Sequence, residues 1–591
     1  MHGGPCKPAH RHKPPQPGET LELTCSDLAF GGEGICRLEG GFVVFVDRAL
    51  PGERLLAQVL QSKRSFARAS KLRSLAPYDD AAEPVCEHFG PCGGCTLQSL
   101  AYDAQLAAKQ RQVADLLSRT AGVADVAAVL RPAVGCPPAE RLGYRNKMEF
   151  SFSSRVWQPV HKEEKGSPNS SSTRGAGSSG SRRGGEQRSS AGPRGGGGSA
   201  SGGFALGLHR PGSTAEVLPV SRCHLQSDAA NALLQRILAL CRQAGLRPFD
   251  PHTGQGLLQD VVIRRDTPNT PSRLASSGSG SGGSGSGSAA AGGAEEAAYL
   301  INFVTARDGR QALAPVAAAL MQPGQPGQAA LPPAPAVVGV VNSVSQRGRP
   351  AGERRLAAEH VLAGRGSLTE TLCGVEFEVS ANSFFQTNTR QAEVLYRLVG
   401  EAAGLRPGDT LLDLYCGTGS IGLTLAHARG QLYGVEVNPA AVRDAQRNAA
   451  RNGIGNATFL QGDLQKLQLA GRLPRPDVVV VDPARPGLPP LVIEYLRGCG
   501  ARRVVYVSCN AATQARDIRA LCSASESGGA GGAERSSGRG TGDGDATERG
   551  VSSSATGSGG PFRLVSVQAV DLYPQTHHVE TVAVLDALGL P

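Results

Sequence analysis

The chain has 591 residues, of which 78 are glycine and 14 cysteine, and its formal net charge is +10. A pI near 9.0 is consistent with a polyanionic partner. No run of about 18 apolar residues occurs, which argues against a helical membrane span, and no apolar secretory core opens the sequence, so the cysteines read as thiols or metal ligands rather than a disulfide framework.

Residues 1–19 carry no apolar pattern and read as a disordered amino terminus. Residues 20–75 alternate apolar and polar positions in short pieces separated by Gly and Pro, the pattern of a small, OB-like β-barrel. Its last segment, 63–73, sets five basic residues around Phe66, which suits either a strand facing a phosphate backbone or a solvated basic edge. Residues 76–380 then read as a mixed, β-rich central domain. It opens on the cluster Cys86, Cys92 and Cys95, C-x5-C-x2-C, and a helical pattern over 99–117; Cys223 follows later. Three close thiolates and a distant fourth complete a tetrahedral site, and spacing alone leaves zinc and an iron–sulfur cluster equally open. Strands are predicted at 147–156, 204–209, 257–264, 299–305, 337–342 and 369–379. Between them lie tracts of Gly, Ser, Pro and charge at 161–203, 267–296 and 321–336, with a fourth at 523–560; these read as disordered insertions, because such composition cannot offset chain entropy.

From 381 to 591 strands and helices alternate, the sign of a Rossmann-like α/β domain with a parallel sheet. The segment DLYCGTGSIG places Gly417-x-Gly419-x-x-Gly422 between a strand and a helix, which by itself also fits a dinucleotide site. Asp413 shifts the balance: its charge repels a pyrophosphate but suits the ammonium of S-adenosylmethionine. Glu436, ending the next strand, is placed to accept from both ribose hydroxyls, and Asp463 to reach the adenine. Asn438-Pro439 reads as a helix cap with proline at the first helical position, and Gly453 as the helix stop. Cys509, in Ser508-Cys509-Asn510-Ala511 at the carboxyl end of an apolar strand, is a nucleophile candidate, and Glu580 its candidate proton-transfer partner.

These stretches, together with Gly143-Tyr144-Arg145-Asn146-Lys147, Asn382-Ser383-Phe384-Phe385-Gln386 and Asp482-Pro483-Ala484-Arg485, resemble the RNA (uracil-5-)-methyltransferases that make 5-methyluridine in tRNA or ribosomal RNA. The barrel looks like the TRAM domain of that family. The resemblance implies Cys509 as nucleophile and Glu580 as general base. It implies cofactor contacts by Gln386, Tyr415, Ser420, Glu436 and Asp463 beside Gly417 in the loop, and it sets Asp482, grouped with the cofactor-site residues, in the uracil pocket. It also favours a 4Fe-4S cluster over zinc at Cys86, Cys92, Cys95 and Cys223. One departure is His577, an extra histidine inside Thr576, His578 and Glu580.

Uracil carbon 5 is too weak a nucleophile to take a methyl group unaided. Thiolate addition at carbon 6 turns the ring into an enolate that can attack the sulfonium methyl, and a base then removes the carbon 5 proton. A free thiol is only a few per cent ionised at neutral pH, so the surroundings of Cys509 are expected to lower its pKa. The target base is flipped or unpaired, with Phe384 or Phe385 to stack on it. The expectation is an S-adenosylmethionine-dependent enzyme acting on rRNA or tRNA as a monomer. The rival readings are an inactive RNA-binding protein on the same fold and a nicotinamide-dependent oxidoreductase; the compartment, whether cytoplasm, plastid or mitochondrion, stays open.

Overall fold

The computed structural model describes residues 13–76, 78–158, 199–267, 297–322, 335–347, 354–426, 430–466, 471, 473–524 and 560–589. The four low-complexity tracts lie, apart from their ends, outside the described residues, as does most of the amino terminus.

Five strands, Thr20–Leu28, Gly34–Arg37, Val43–Asp47, Arg54–Ser62 and Phe66–Ser74, close into a barrel. The period-two pattern explains the closure: Leu23, Val44, Val46, Leu55, Ala57, Val59, Ala67 and Ala69 point inward. On the last strand Arg68, between inward Ala67 and Ala69, faces out and pairs with Glu33 at 3.1 Å, whereas Lys71, in the inward register, pairs with buried Glu53. Part of the basic stripe is therefore neutralised by the barrel itself.

The central sheet has seven strands in the order Arg354–Gly364, Val337–Arg347, Tyr299–Thr305, Leu258–Arg265, Lys147–Trp157, Ser199–His209 and Val217–Pro219. The apolar faces of helices Asp228–Gln243 and Arg310–Met321 cover it, with Leu233, Ile237, Leu313 and Val316 packed on Phe150, Val261 and Phe303. Strand Arg354–Gly364 and both helices were not expected from the sequence. The segment 369–379, predicted as one strand, is a hairpin of Ser367–Leu372 and Val375–Ser380, because Cys373 and Gly374 take positive φ values of 51° and 79° at its turn.

The carboxyl-terminal sheet has eight strands, ordered Ala457–Gln461, Gln431–Glu436, Thr410–Leu414, Val478–Val481, Arg503–Ser508, Glu580–Ala587, Phe562–Val570 and Leu130–Val134. The first five run parallel, Glu580–Ala587 runs against them and Phe562–Val570 against it in turn; the strand order reverses between Thr410–Leu414 and Val478–Val481. Residues 130–134 were expected in the central domain, yet they pair with Phe562–Val570 at the sheet edge. The helix preceding them, Tyr102–Leu116, also packs on this sheet, so the chain enters the carboxyl-terminal core before it builds the central one.

Candidate active site

A cleft of about 1180 Å³ runs along the carboxyl ends of the parallel strands and is closed on one side by the central sheet. This edge of a doubly wound sheet, at the switch in strand order, is where a ligand meets strand-end side chains and glycine-loop backbone. Gln386, Asp413, Tyr415, Gly417, Ser420, Glu436, Asp463, Asp482, Cys509 and Glu580, the residues singled out from the sequence, all line it.

Asp413 ends its strand fully buried and accepts the Gly422 N–H through Oδ2 at 2.9 Å. A Cβ on Gly422 would lie 2.8 Å from that same oxygen, which is why glycine stands there. The other carboxylate oxygen, Oδ1, is buried with no partner among the described residues, and so are the Tyr415 hydroxyl and Gln386 Oε1. Tyr415 sits in the left-handed region at φ 69°, a conformation that a side chain adopts at a cost where the turn demands it. Three buried, unsatisfied polar atoms around one cleft fit a polar ligand that brings its own donors and acceptors, as the amino-acid end of S-adenosylmethionine does. Glu436 accepts the Gly417 and Asn438 N–H groups at 3.2 and 2.8 Å, which fixes its carboxylate at the strand end. Asn438 caps helix Pro439–Arg451 by accepting from Ala440 at 2.9 Å, and the helix stops before Gly453, as read from the sequence. The Ser420 hydroxyl is paired with Tyr396 at 2.8 Å, and Asp463 with Lys466 at 3.0 Å on the exposed rim.

The Ser-Cys-Asn motif is a strand-to-helix turn. Asn510 caps helix Ala511–Cys522 through Ala512 at 3.2 Å, while its amide donates to the Arg485 carbonyl at 2.9 Å. One asparagine thus ties the thiol loop to the Asp-Pro-Ala-Arg loop. Burial pushes the Cys509 thiol up to about 11, with Glu580 and Asp482 adding to it and Arg485 opposing. This corrects the expectation of a lowered pKa: the resting thiol faces two carboxyl groups in a recess, and their proximity and burial outweigh the charge of Arg485. Burial also holds Glu580 well above the ordinary carboxylate range, with Asp482 raising it further and Arg485 lowering it, and takes Asp482 up to about 7. Asp413 is pushed up to about 8, again by burial.

Arg485 was not assigned a role from the sequence, yet its charge acts on Cys509, Glu580, His577 and His578 together. The signal was its place in a loop after a buried strand, beside an acid that needs a counter-charge. The two phenylalanines separate clearly: Phe384 is 71% exposed on the cleft wall, whereas Phe385 is buried and packs on Phe377 with ring centroids 5.8 Å apart.

Cys86, Cys92, Cys95 and Cys223 come together on the far side of the terminal Asp571–Glu580 segment. The loops that carry them are joined by His88 and Ser221 at 3.0 Å, and the thiols act on one another electrostatically. Burial lifts Cys92 to about 11 and Cys95 to about 12. Among the described residues no three such side chains already stand as a metal-binding group. Four thiols are the donor type that either iron–sulfur or zinc uses, and here they lie near one another without being assembled into such a site.

Comparison with known proteins agrees with this architecture. A TRAM domain model matches residues 14–72 and a methyltransferase domain model residues 405–531. The chain is 30% identical over 575 residues to an uncharacterized RNA methyltransferase of Chlorobaculum tepidum and 32% identical over 575 residues to one of Nitratidesulfovibrio vulgaris, covering 96% of each chain in both cases. Among solved structures, the Pyrococcus abyssi tRNA (uracil-54, C5)-methyltransferase in complex with S-adenosyl-L-homocysteine superposes with a TM-score of 0.58 at 19% identity, over 96% of this chain and 100% of that one, a likeness of fold.

Proposed function

Because this chain belongs to the RNA methyltransferase family, we propose that it transfers a methyl group from S-adenosylmethionine to carbon 5 of a uridine in tRNA or ribosomal RNA through a covalent Cys509–uracil intermediate. The observation that carries the reading is the meeting, on one cleft wall, of a recessed thiol, a fully buried carboxyl group and a second acid, with Arg485 acting on the first two.

In this reading Phe384 stacks on the flipped base, and Asp482, its carboxyl pushed up to about 7 by burial, donates to the imide edge when it holds its proton. The Cys509 thiol loses its proton to solvent and the thiolate adds to carbon 6. The carbon 5–carbon 6 π electrons pass to the carbonyl oxygen as an enolate, carbon 5 takes the sulfonium methyl, and the donor leaves as a neutral thioether. Glu580 then removes the carbon 5 proton; the freed pair re-forms the double bond and expels the Cys509 thiolate. A resting pKa of about 11 means that the thiol must be activated on binding. The added positive charge of the donor and the guanidinium of Arg485 act in that direction, on the thiol and on Glu580 alike.

The four clustered cysteines would hold a 4Fe-4S group, which supplies a rigid cross-link between the loop at 86–95 and Cys223. The test of the methyl-transfer reading is covalent trapping. RNA carrying 5-fluorouridine should give a denaturation-resistant complex with the wild-type chain and none with Cys509→Ala. Methylation of uridine by folded Cys509→Ala would overturn it.

A further inference from the structure

The loop that presents Tyr573, His578 and Glu580 to the cleft is held from behind by a helix of the amino-terminal half. Helix Tyr102–Leu116 lays Gln105 and Lys109, one turn apart and each 1% exposed, against it. Lys109 donates to Asp571 Oδ1 at 2.7 Å and to the Tyr573 carbonyl at 3.4 Å, and Tyr102 donates to Asp571 Oδ2 at 2.9 Å. Gln105 and Gln575 form a reciprocal pair: the Gln105 amide donates to Gln575 Oε1 and its carbonyl accepts the Gln575 N–H, both at 3.1 Å. Gln575 takes a positive φ of 71°, where a side chain is strained, and its carbonyl accepts from Thr96 and Leu97 at 3.1 Å. Backbone strain persists only where surrounding bonds over-determine it, and here the bonds come from outside the loop.

Tyr102, Gln105, Lys109, Asp571 and Gln575 do not line the cleft. We propose that Lys109 and Gln105 are positioning residues for the proton-abstraction step, acting through Asp571 and Gln575 to hold the loop that aims Glu580 at carbon 5. Asn510 and Thr513 tie the thiol loop to the Arg485 carbonyl, and Gln514 and Ser508 join it to Thr581 beside Glu580; helix Tyr102–Leu116 makes none of these bonds, so loosening its contacts leaves the addition step in place. The inference rests on the methyl-transfer mechanism above, and the test separates the two.

The experiment uses the full chain with Lys109→Met and, separately, Gln105→Leu, which keeps the ion pair and decides the matter if Lys109→Met does not fold. Folding is checked by thermal melting and by S-adenosylhomocysteine binding. The probes are RNA from cells lacking this protein, and RNA from the same cells grown on 5-fluorouracil. The expected result is a 5-fluorouridine adduct within about twofold of wild type. On ordinary RNA, turnover should fall at least tenfold and a methylated protein–RNA complex should build up that wild type does not accumulate. Folded variants that lose adduct and turnover in parallel, or that turn over like wild type, would overturn the positioning role. A wild-type chain that forms no 5-fluorouridine adduct would overturn the mechanism beneath it, and this inference with it.

Discussion

Replacing Asp413 by asparagine tests the cofactor site through its protons. Asp413 is buried, with one oxygen on the Gly422 N–H and the other without a partner among the described residues, and its carboxyl is pushed up to about 8. To face the ammonium of S-adenosylmethionine it must be charged, so binding expels its proton whenever the pH lies below that value. Apparent affinity should then fall about tenfold for each pH unit below 8, roughly 1.4 kcal/mol per unit and about 100-fold at pH 6. In Asp413→Asn the amide carbonyl keeps the Gly422 bond but carries no charge, so the proton count drops by one and the affinity loss is largest near pH 8. Stability moves the opposite way. A raised folded-state pKa contributes stability that is complete below the unfolded value near 4 and is lost as pH rises through 8. Four units correspond to about 5 kcal/mol as an upper bound, so the ligand-free variant should melt higher than wild type at pH 8 and alike at pH 4. Calorimetry with S-adenosylhomocysteine in buffers of different ionisation heat, from pH 6 to 8.5, counts the protons. A wild-type affinity independent of pH, or an unchanged proton count in Asp413→Asn, would refute the assignment.

Glu580→Gln should add the thiol and transfer the methyl but stall before elimination, accumulating a labelled protein–RNA band from radioactive donor on ordinary uridine; free methylated RNA at wild-type rate would contradict its role as base. Arg485→Met removes the charge that lowers Cys509 and Glu580, so single-turnover rates should fall about tenfold or more and their pH optimum should move alkaline, while S-adenosylhomocysteine affinity stays near wild type. Anaerobically purified protein should be brown and contain iron and acid-labile sulfide, both lost in Cys92→Ser and Cys223→Ser; stoichiometric zinc without sulfide would favour the alternative ligand.

What the sequence disclosed and what it hid divide along a physical line. The glycine loop, the capped helix after Asn438 and the barrel alternation are local: each depends on residues a few positions apart, and the structure has them where the chain says. Strand Arg354–Gly364 was hidden because its exposed Leu356 and Val361 and interleaved charges resemble a loop, and only pairing with Val337–Arg347 makes it a strand. The pKa of Cys509 was misjudged for a related reason. Chemistry demands a reactive thiol, but the resting value depends on how deep the recess is and how near Glu580 and Asp482 stand, distances that no spacing in the chain encodes. The bonds behind Glu580 are longer-range still: Lys109 and Asp571 are 462 residues apart, and a lysine inside a helical pattern reads as solvated surface until the acid that buries it is found. The catalytic groups were therefore legible as types at strand ends, whereas the groups that aim them belong to contacts which exist only once the amino-terminal helix has docked on the carboxyl-terminal sheet.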